Sequence, residues 1–164
     1  MRRFIVTTSA VAVLAFAATS AFAVVPSQRS VFKGVTSEHA VNGYKPTIQF
    51  VSQAGGKTIT NFVFETLGCF GAGQFPVGTD PFAESPWRLP KLKVPANGIL
   101  STKVNATSPA LDSGKMAVTV SGTFTSTSKM TGKLTYTQDQ SGATCGPRTV
   151  KFSVSTNAPT TIGP

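Results

Sequence analysis

The acidic side chains are the first residues in this sequence whose types and spacing could do chemistry. A glycoside hydrolase needs two carboxylates about 5–9 Å apart, one as the proton donor and one as the base or nucleophile. Glu65, Asp80 and Glu84 flank or occupy one long segment and could supply such a pair. The other three acidic residues are scattered, and isolated carboxylates are typical of solvated loops. We therefore assign no catalytic residue and keep a polysaccharide-acting hydrolase as an alternative function.

The groups needed for other kinds of catalysis are few. His39 is the single histidine, so a Ser-His-Asp triad would have to use it, yet Ser37-Glu38-His39 is not a G-x-S-x-G motif. One histidine and two cysteines are too few ligands for a zinc or copper site. Gly71-Ala72-Gly73 lacks the spacing of a phosphate-binding loop. We predict no metal and no cofactor.

Aromatic residues are concentrated in and just after the segment Leu67–Pro86. Phe75 and Phe82 lie within it, and the single tryptophan, Trp87, follows it. Sugars stack on exposed aromatic rings, and Asp80 could hydrogen-bond to their hydroxyls, so these residues are candidate ligand-binding residues. The alternative is that the rings form a small satellite core beneath a long loop.

A local cluster of positive charge lies next to Trp87. Arg88, Lys91 and Lys93 fall within six residues, whereas the other cations are spread along the chain, which has a formal net charge of +9. The two-residue spacing of Lys91 and Lys93 places them on one face of an extended segment. They are candidate contacts for an anionic glycan or wall polymer, and an edge strand protected by lysine explains them equally well. Nucleic acid is not an expected partner, because no binding motif is present.

The N-terminus has the pattern of a secretory signal peptide. Met1-Arg2-Arg3 is followed by a short apolar run and by Ala21-Phe22-Ala23, which matches the A-x-A pattern of a cleavage site. We expect cleavage after Ala23, export of the remaining chain, and no transmembrane anchor, since the apolar run is too short to span a bilayer.

Two cysteines, Cys69 and Cys145, complete the set of reactive side chains. Export would place them in an oxidising compartment, where a single disulfide between them is expected. The bridge would join the chain just after the third predicted strand to the chain just before the last one.

The elements that must position these residues are β-strands. Met116, Val118, Val120 and Phe124 share one parity, and the same alternation recurs at Leu134 and Tyr136 and again at Val150, Phe152 and Val154. We predict eight strands, the first five at Val31–Thr36, Thr47–Ser52, Thr58–Thr66, Arg88–Val94 and Ile99–Val104.

Many short strands separated by turns predict an all-β, antiparallel two-sheet β-sandwich, either immunoglobulin-like or jelly-roll. The predicted organisation is a signal peptide at 1–23, an N-terminal extension at 24–30, the sandwich domain at 31–155 and a disordered tail at 156–164.

The segments Gly34-Val35-Thr36-Ser37 and Pro46–Val51, the two cysteines and Gly122-Thr123-Phe124 resemble uncharacterised secreted bacterial β-sandwich modules with one disulfide. The resemblance implies the sandwich fold and an extracellular setting, and it carries over no active-site residue.

These observations favour a secreted, non-catalytic binding or structural protein of the cell exterior, with an anionic or neutral glycan or a cell-wall polymer as partner. Besides the hydrolase, a protein-interaction module that pairs through an exposed strand edge remains open.

Overall fold

The computed structural model describes residues 24–40, 43–67, 86–108, 115–140 and 143–156, with the side chains of 115, 138–140 and 143–145 left aside. The strands are β1 (Val31–Thr36), β2 (Thr47–Gln53), β3 (Thr58–Phe64), β4 (Trp87–Arg88), β5 (Leu92–Lys93), β6 (Ile99–Thr107), β7 (Lys115–Ser126), β8 (Lys129–Gln140) and β9 (Ala143–Ser155). The described part of the chain contains no helix long and apolar enough to cross a membrane.

The strands close into an eight-strand antiparallel β-barrel. From β1 to β3 and from β6 to β9 each strand pairs with the next one in the chain, β4 pairs with both β3 and β6, and β9 returns to pair with β1. The short strands β4 and β5 both pair with β3 on the side away from β2, so together they fill one place in the ring. The prediction of an all-β chain is confirmed, and the prediction of a two-sheet sandwich, immunoglobulin-like or jelly-roll, is wrong.

The error has a physical reason. Alternating apolar residues show that one face of each strand is buried. They do not show whether that face packs against a second sheet or against the opposite side of the same sheet, closed into a barrel. Here the sheet curls. The predicted buried faces of β7, β8 and β9 are confirmed, because the alternating apolar side chains of these strands are buried.

The interior of the barrel is filled by side chains. Phe32 stacks on Phe50 with ring centroids 4.9 Å apart, and Phe50 stacks on Phe62 at 5.4 Å. Phe124 packs edge-on against both Phe32 and Phe50. Eight strands enclose a space that such side chains just fill, so the core takes the place of an internal channel.

Two glycines occupy inward-facing positions of the long strands β7 and β8. Gly122 lies opposite Gly132, and Gly132 lies opposite Phe152. A Cβ on Gly132 would collide with the Ser121 carbonyl oxygen and with the Phe152 ring. The ring therefore packs in the space that the missing side chain leaves, and glycine in a strand interior often marks such a close approach.

The predicted fourth strand is interrupted. It was expected to run from Arg88 to Val94, whereas the structure pairs only Trp87–Arg88 and Leu92–Lys93 with β3. Pro90 lies between them and has no N–H to donate to a neighbouring strand, which accounts for the break.

We call the end of the barrel where β1, β3, β6 and β8 finish the upper end, and the opposite end the lower end. Residues 24–30, here called the N-terminal strap, lie along the lower end. The Ser27 N–H donates to the Thr127 carbonyl at 2.8 Å, and Val24 packs against the core. The strap thus contacts the barrel where it crosses the β7–β8 turn.

Candidate functional site

A shallow groove crosses the outside of strands β6 to β9. Its volume is about 580 Å³. One side consists of Ser101, Ser121, Lys133 and Lys151, and the other includes Ile99, Thr123 and Thr131. We call it the outer groove.

The register of the strands explains the groove. Ser101 lies opposite Ser121, Ser121 opposite Lys133, and Lys133 opposite Lys151, so these four residues form one continuous row across the wall. The next row is Leu100, Gly122, Gly132 and Phe152, and these positions face the interior of the barrel. Because this row presents backbone and two glycines to the outside, it forms a low floor between taller rows of side chains.

Positive charge is concentrated at one end of the outer groove. Lys133 and Lys151 are both exposed and lie directly opposite each other. Like charges in directly opposed positions destabilise a sheet, and an anion bound between them would relieve that repulsion. Lys103 and Lys129 are further exposed cations of the same wall.

The described residues that line the groove supply groups for ligand binding. None of them is a carboxylate, a histidine or a cysteine. Its serine and threonine hydroxyls can each donate and accept hydrogen bonds, and Ile99, 49% exposed, adds an apolar contact. Hydroxyls, an apolar side chain and two cations together suit a polar, negatively charged and elongated ligand.

The carboxylates whose side chains are described, Glu38 and Glu65, both lie at the upper end. Glu38 accepts a hydrogen bond from the Tyr136 hydroxyl at 3.0 Å and pairs with Arg148 at 3.5 Å. Arg148 also donates to the Leu67 carbonyl at 3.3 Å. Burial, followed by the nearby negative charge of Glu38, raises the pKa of Tyr136. The tyrosine therefore stays protonated and acts as a donor.

Glu65 is held in a similar way. Its Oε2 accepts hydrogen bonds from the Tyr44 hydroxyl and from both the N–H and the hydroxyl of Thr47, the last two at 2.8 Å. Burial and the hydrogen bond to Glu65 raise the pKa of Tyr44. These contacts give Glu65 a role in joining the β1–β2 connection to the end of β3.

The structure places the sequence-based candidates for glycan binding in different environments, some buried and some exposed. Trp87 is a core residue, 1% exposed, so its ring offers no exposed face for a sugar. Trp87 lies opposite Phe64 and points inward, which favours the alternative that this ring belongs to a core. Arg88, Lys91 and Lys93 are exposed on the outside.

Other predicted residues lie beyond what the structure describes. Phe75, Asp80 and Phe82 lie outside the described residues, and so does Cys69. The backbone of Cys145 pairs with Gln138 at the upper end, but its side chain is not described. The disulfide and the loop carboxylate pair therefore stay predictions.

Sequence reasoning missed the outer groove. Its signal was a glycine at an inward-facing position in each arm of one hairpin, Gly122 and Gly132, with Lys133 at the outward position that follows Gly132. The pattern becomes a site only when the register places Lys133 beside Lys151.

The fold and the groove define the class: an eight-stranded up-and-down antiparallel barrel with a packed interior and a basic, hydroxyl-lined outer wall. Comparison with protein-family models, with curated proteins and with solved structures gives no match for this chain. Within the described residues, no group of three or more histidine, cysteine or acidic side chains is placed to hold a metal ion.

Proposed function

We propose that this protein is an exported, non-catalytic binding protein of the cell exterior, and that it holds an anionic polysaccharide across the outer groove. The observation that carries the proposal is the opposed pair Lys133 and Lys151 at the end of a hydroxyl-lined groove. Export rests on the signal-peptide pattern of residues 1–23.

The dimensions of the wall suit a short stretch of polymer. Neighbouring strands are about 4.8 Å apart, so a chain crossing from β6 to β9 spans about 14 Å. Along that path it meets Ser101 and Ser121 before the two lysines. Carboxylate groups on the polymer would reach the lysines, while its hydroxyls would exchange hydrogen bonds with the serines and threonines.

Charge and hydrogen bonding predict different salt dependences. Attraction between exposed charges weakens as salt shortens the Debye length from about 10 Å at 0.1 M to about 3 Å at 1 M. Hydrogen bonds to the groove hydroxyls are not screened in that way. Binding in the groove should therefore weaken with salt but persist in part.

The test measures binding of polygalacturonate oligomers to the purified protein by calorimetry, with the methyl-esterified polymer as the uncharged control. We expect binding of the charged polymer, at least tenfold weaker binding in K133Q/K151Q, and little change in K91Q/K93Q. The last variant removes the same charge from the basic segment after Trp87. Equal losses in both variants, or a loss only in K91Q/K93Q, would overturn the groove as the site.

The same samples separate binding from hydrolysis. Incubation with polygalacturonate should release no new reducing ends. Release that disappears in Glu65→Gln would instead support the hydrolase alternative. Loss of binding in the groove variant with no hydrolysis in any sample supports a purely binding function.

A second candidate function, pairing with another copy of this chain through a strand edge, has one observation in its favour. In the described residues β6 contacts the β4–β5 side through a single registered pair, Arg88 with Thr107. Among the described residues, the rest of that edge of β6 has no registered partner strand, which favours antiparallel pairing with a second β6. Sedimentation velocity at increasing concentration tests it: a dimer supports pairing, and a monomer throughout excludes it.

A further inference from the structure

The lower end of the barrel contains a second depression, separate from the outer groove. Its volume is about 460 Å³, within the range of roughly 300–1,000 Å³ that is typical of small-molecule sites. Its apolar walls are Val25 of the N-terminal strap and Val94, Pro95 and Ala96 after β5. We call it the lower pocket.

Local backbone geometry builds the lower pocket. Ala54, Gly55 and Gly56 in the β2–β3 turn have φ values of 51°, 67° and 79°. A Cβ on Gly56 would collide with the Pro26 carbonyl oxygen and the Val25 side chain. Glycine thus lets the strap lie directly on the turn, which places Val25 as one wall.

The opposite wall is tied to the same turn. The Val94 N–H donates to the Lys57 carbonyl at 2.8 Å. This bond holds the chain after β5 against the β2–β3 turn, so the apolar walls face a common space. Val25 stays 37% exposed, which leaves apolar surface open to a ligand.

The polar groups of the lower pocket are cationic or neutral. Lys57 and Lys93 line it, and both are exposed. Thr58 lies opposite Lys93, and its hydroxyl is buried with no hydrogen-bond partner among the described residues. The carboxylates whose side chains are described lie at the other end of the barrel, so neither balances these two lysines.

We infer that the lower pocket binds a small anionic amphiphile, a molecule with a carboxylate head and an apolar body of fatty-acid type. The head pairs with Lys57 and Lys93, and the body covers Val25, Val94 and Ala96. An apolar wall beside two cations is complementary to that ligand in both charge and polarity. This site is independent of the polysaccharide proposal, because it uses other residues at another place on the barrel.

The test titrates decanoate below its micelle concentration into the purified protein, with acetate and decanol as the head-only and body-only controls. Amide NMR shifts locate the ligand, and calorimetry gives its affinity. We expect shifts at Gly55, Gly56 and Ala96, and at least tenfold weaker binding of either control. K57Q/K93Q should weaken decanoate binding at least tenfold, whereas K45Q/K91Q, which removes two exposed lysines elsewhere, should not.

A third variant fills the pocket without altering charge. Ala96 is exposed in a turn, so Ala96→Trp should fold normally, as a thermal melt would show, and should abolish binding. Decanoate shifts confined to other residues, or full binding in Ala96→Trp, would overturn the inference. So would co-flotation with anionic phospholipid vesicles in the absence of decanoate binding, because the lower end would then be a membrane-surface contact rather than a pocket.

Discussion

The wall formed by β6 to β9, here called the regular wall, differs from the wall formed by β3 to β5, the interrupted wall. Nine consecutive residue pairs join β6 to β7. By contrast, β3 pairs with β4 at two positions and with β5 at two others. Both walls present lysines, yet only the regular wall places two of them directly opposite each other.

The difference shows that charge in a sheet is organised by register more than by sequence proximity. Arg88, Lys91 and Lys93 are close in the chain, but Lys93 lies opposite Thr58. Lys133 and Lys151 are far apart in the chain and adjacent in the barrel. The segment with the densest positive charge in the sequence, Arg88–Lys93, therefore belongs to the interrupted wall, where no two of its cations lie opposite each other.

The largest expected loss of stability comes from a substitution in the interrupted wall. Trp87→Ala should lower the free energy of unfolding by about 3–5 kcal/mol, because it removes a fully buried ring from the core. Urea denaturation measures it, and Arg88→Ala, an exposed neighbour, serves as the control with little change. A loss below about 1 kcal/mol in Trp87→Ala would mean that this wall does not contribute to the core as described.

A smaller loss is expected on the regular wall. Gly132→Ala should cost about 1–3 kcal/mol, because the added Cβ meets the Ser121 carbonyl and the Phe152 ring. The control is Thr131→Ala, at the neighbouring exposed position. If both alanine variants unfold at the same urea concentration as the parent protein, the close packing of Phe152 on Gly132 is contradicted.

The upper end of the regular wall should show a pH dependence. The pKa of Tyr136 is raised above its ordinary value of 10.0 by burial and by Glu38. The unfolded chain therefore loses this proton at a lower pH than the folded chain, and stability falls as pH rises above about 10. Tyr136→Phe should cost about 0.5–1.5 kcal/mol at neutral pH and should flatten the alkaline decline. An unchanged alkaline slope in the variant would exclude Tyr136 as a source of the effect.

The smallest expected change in stability compares the same substitution, lysine to glutamate, on the two walls. Lys151→Glu places an opposite charge across from Lys133 and should raise the free energy of unfolding by about 0.2–1 kcal/mol, while it weakens polygalacturonate binding. Lys93→Glu lies across from Thr58 and should give no such gain. Thermal melts at low salt compare the two variants. Equal shifts would show that net charge, and not register, sets the energy.

The candidate site could be predicted only in part. Alternation correctly assigned the outward and inward faces of β7, β8 and β9, because side chains in a strand point to opposite faces in turn. The outer groove needed the register in addition, since a one-residue slip would move Lys151 away from Lys133. For Trp87 the sequence left an exposed ring and a core ring open, because the burial of a ring depends on what the rest of the chain packs against it.

By itself, the sequence determined the all-β class, the buried faces of β7, β8 and β9, and the net positive charge. These follow from local properties: alternation of side chains along a strand and the count of ionisable groups. The tertiary structure decided that the sheet closes on itself and that Lys133 meets Lys151. Both depend on pairings between residues distant in the chain, and alternation is the same whether the buried face meets a second sheet or its own curled continuation.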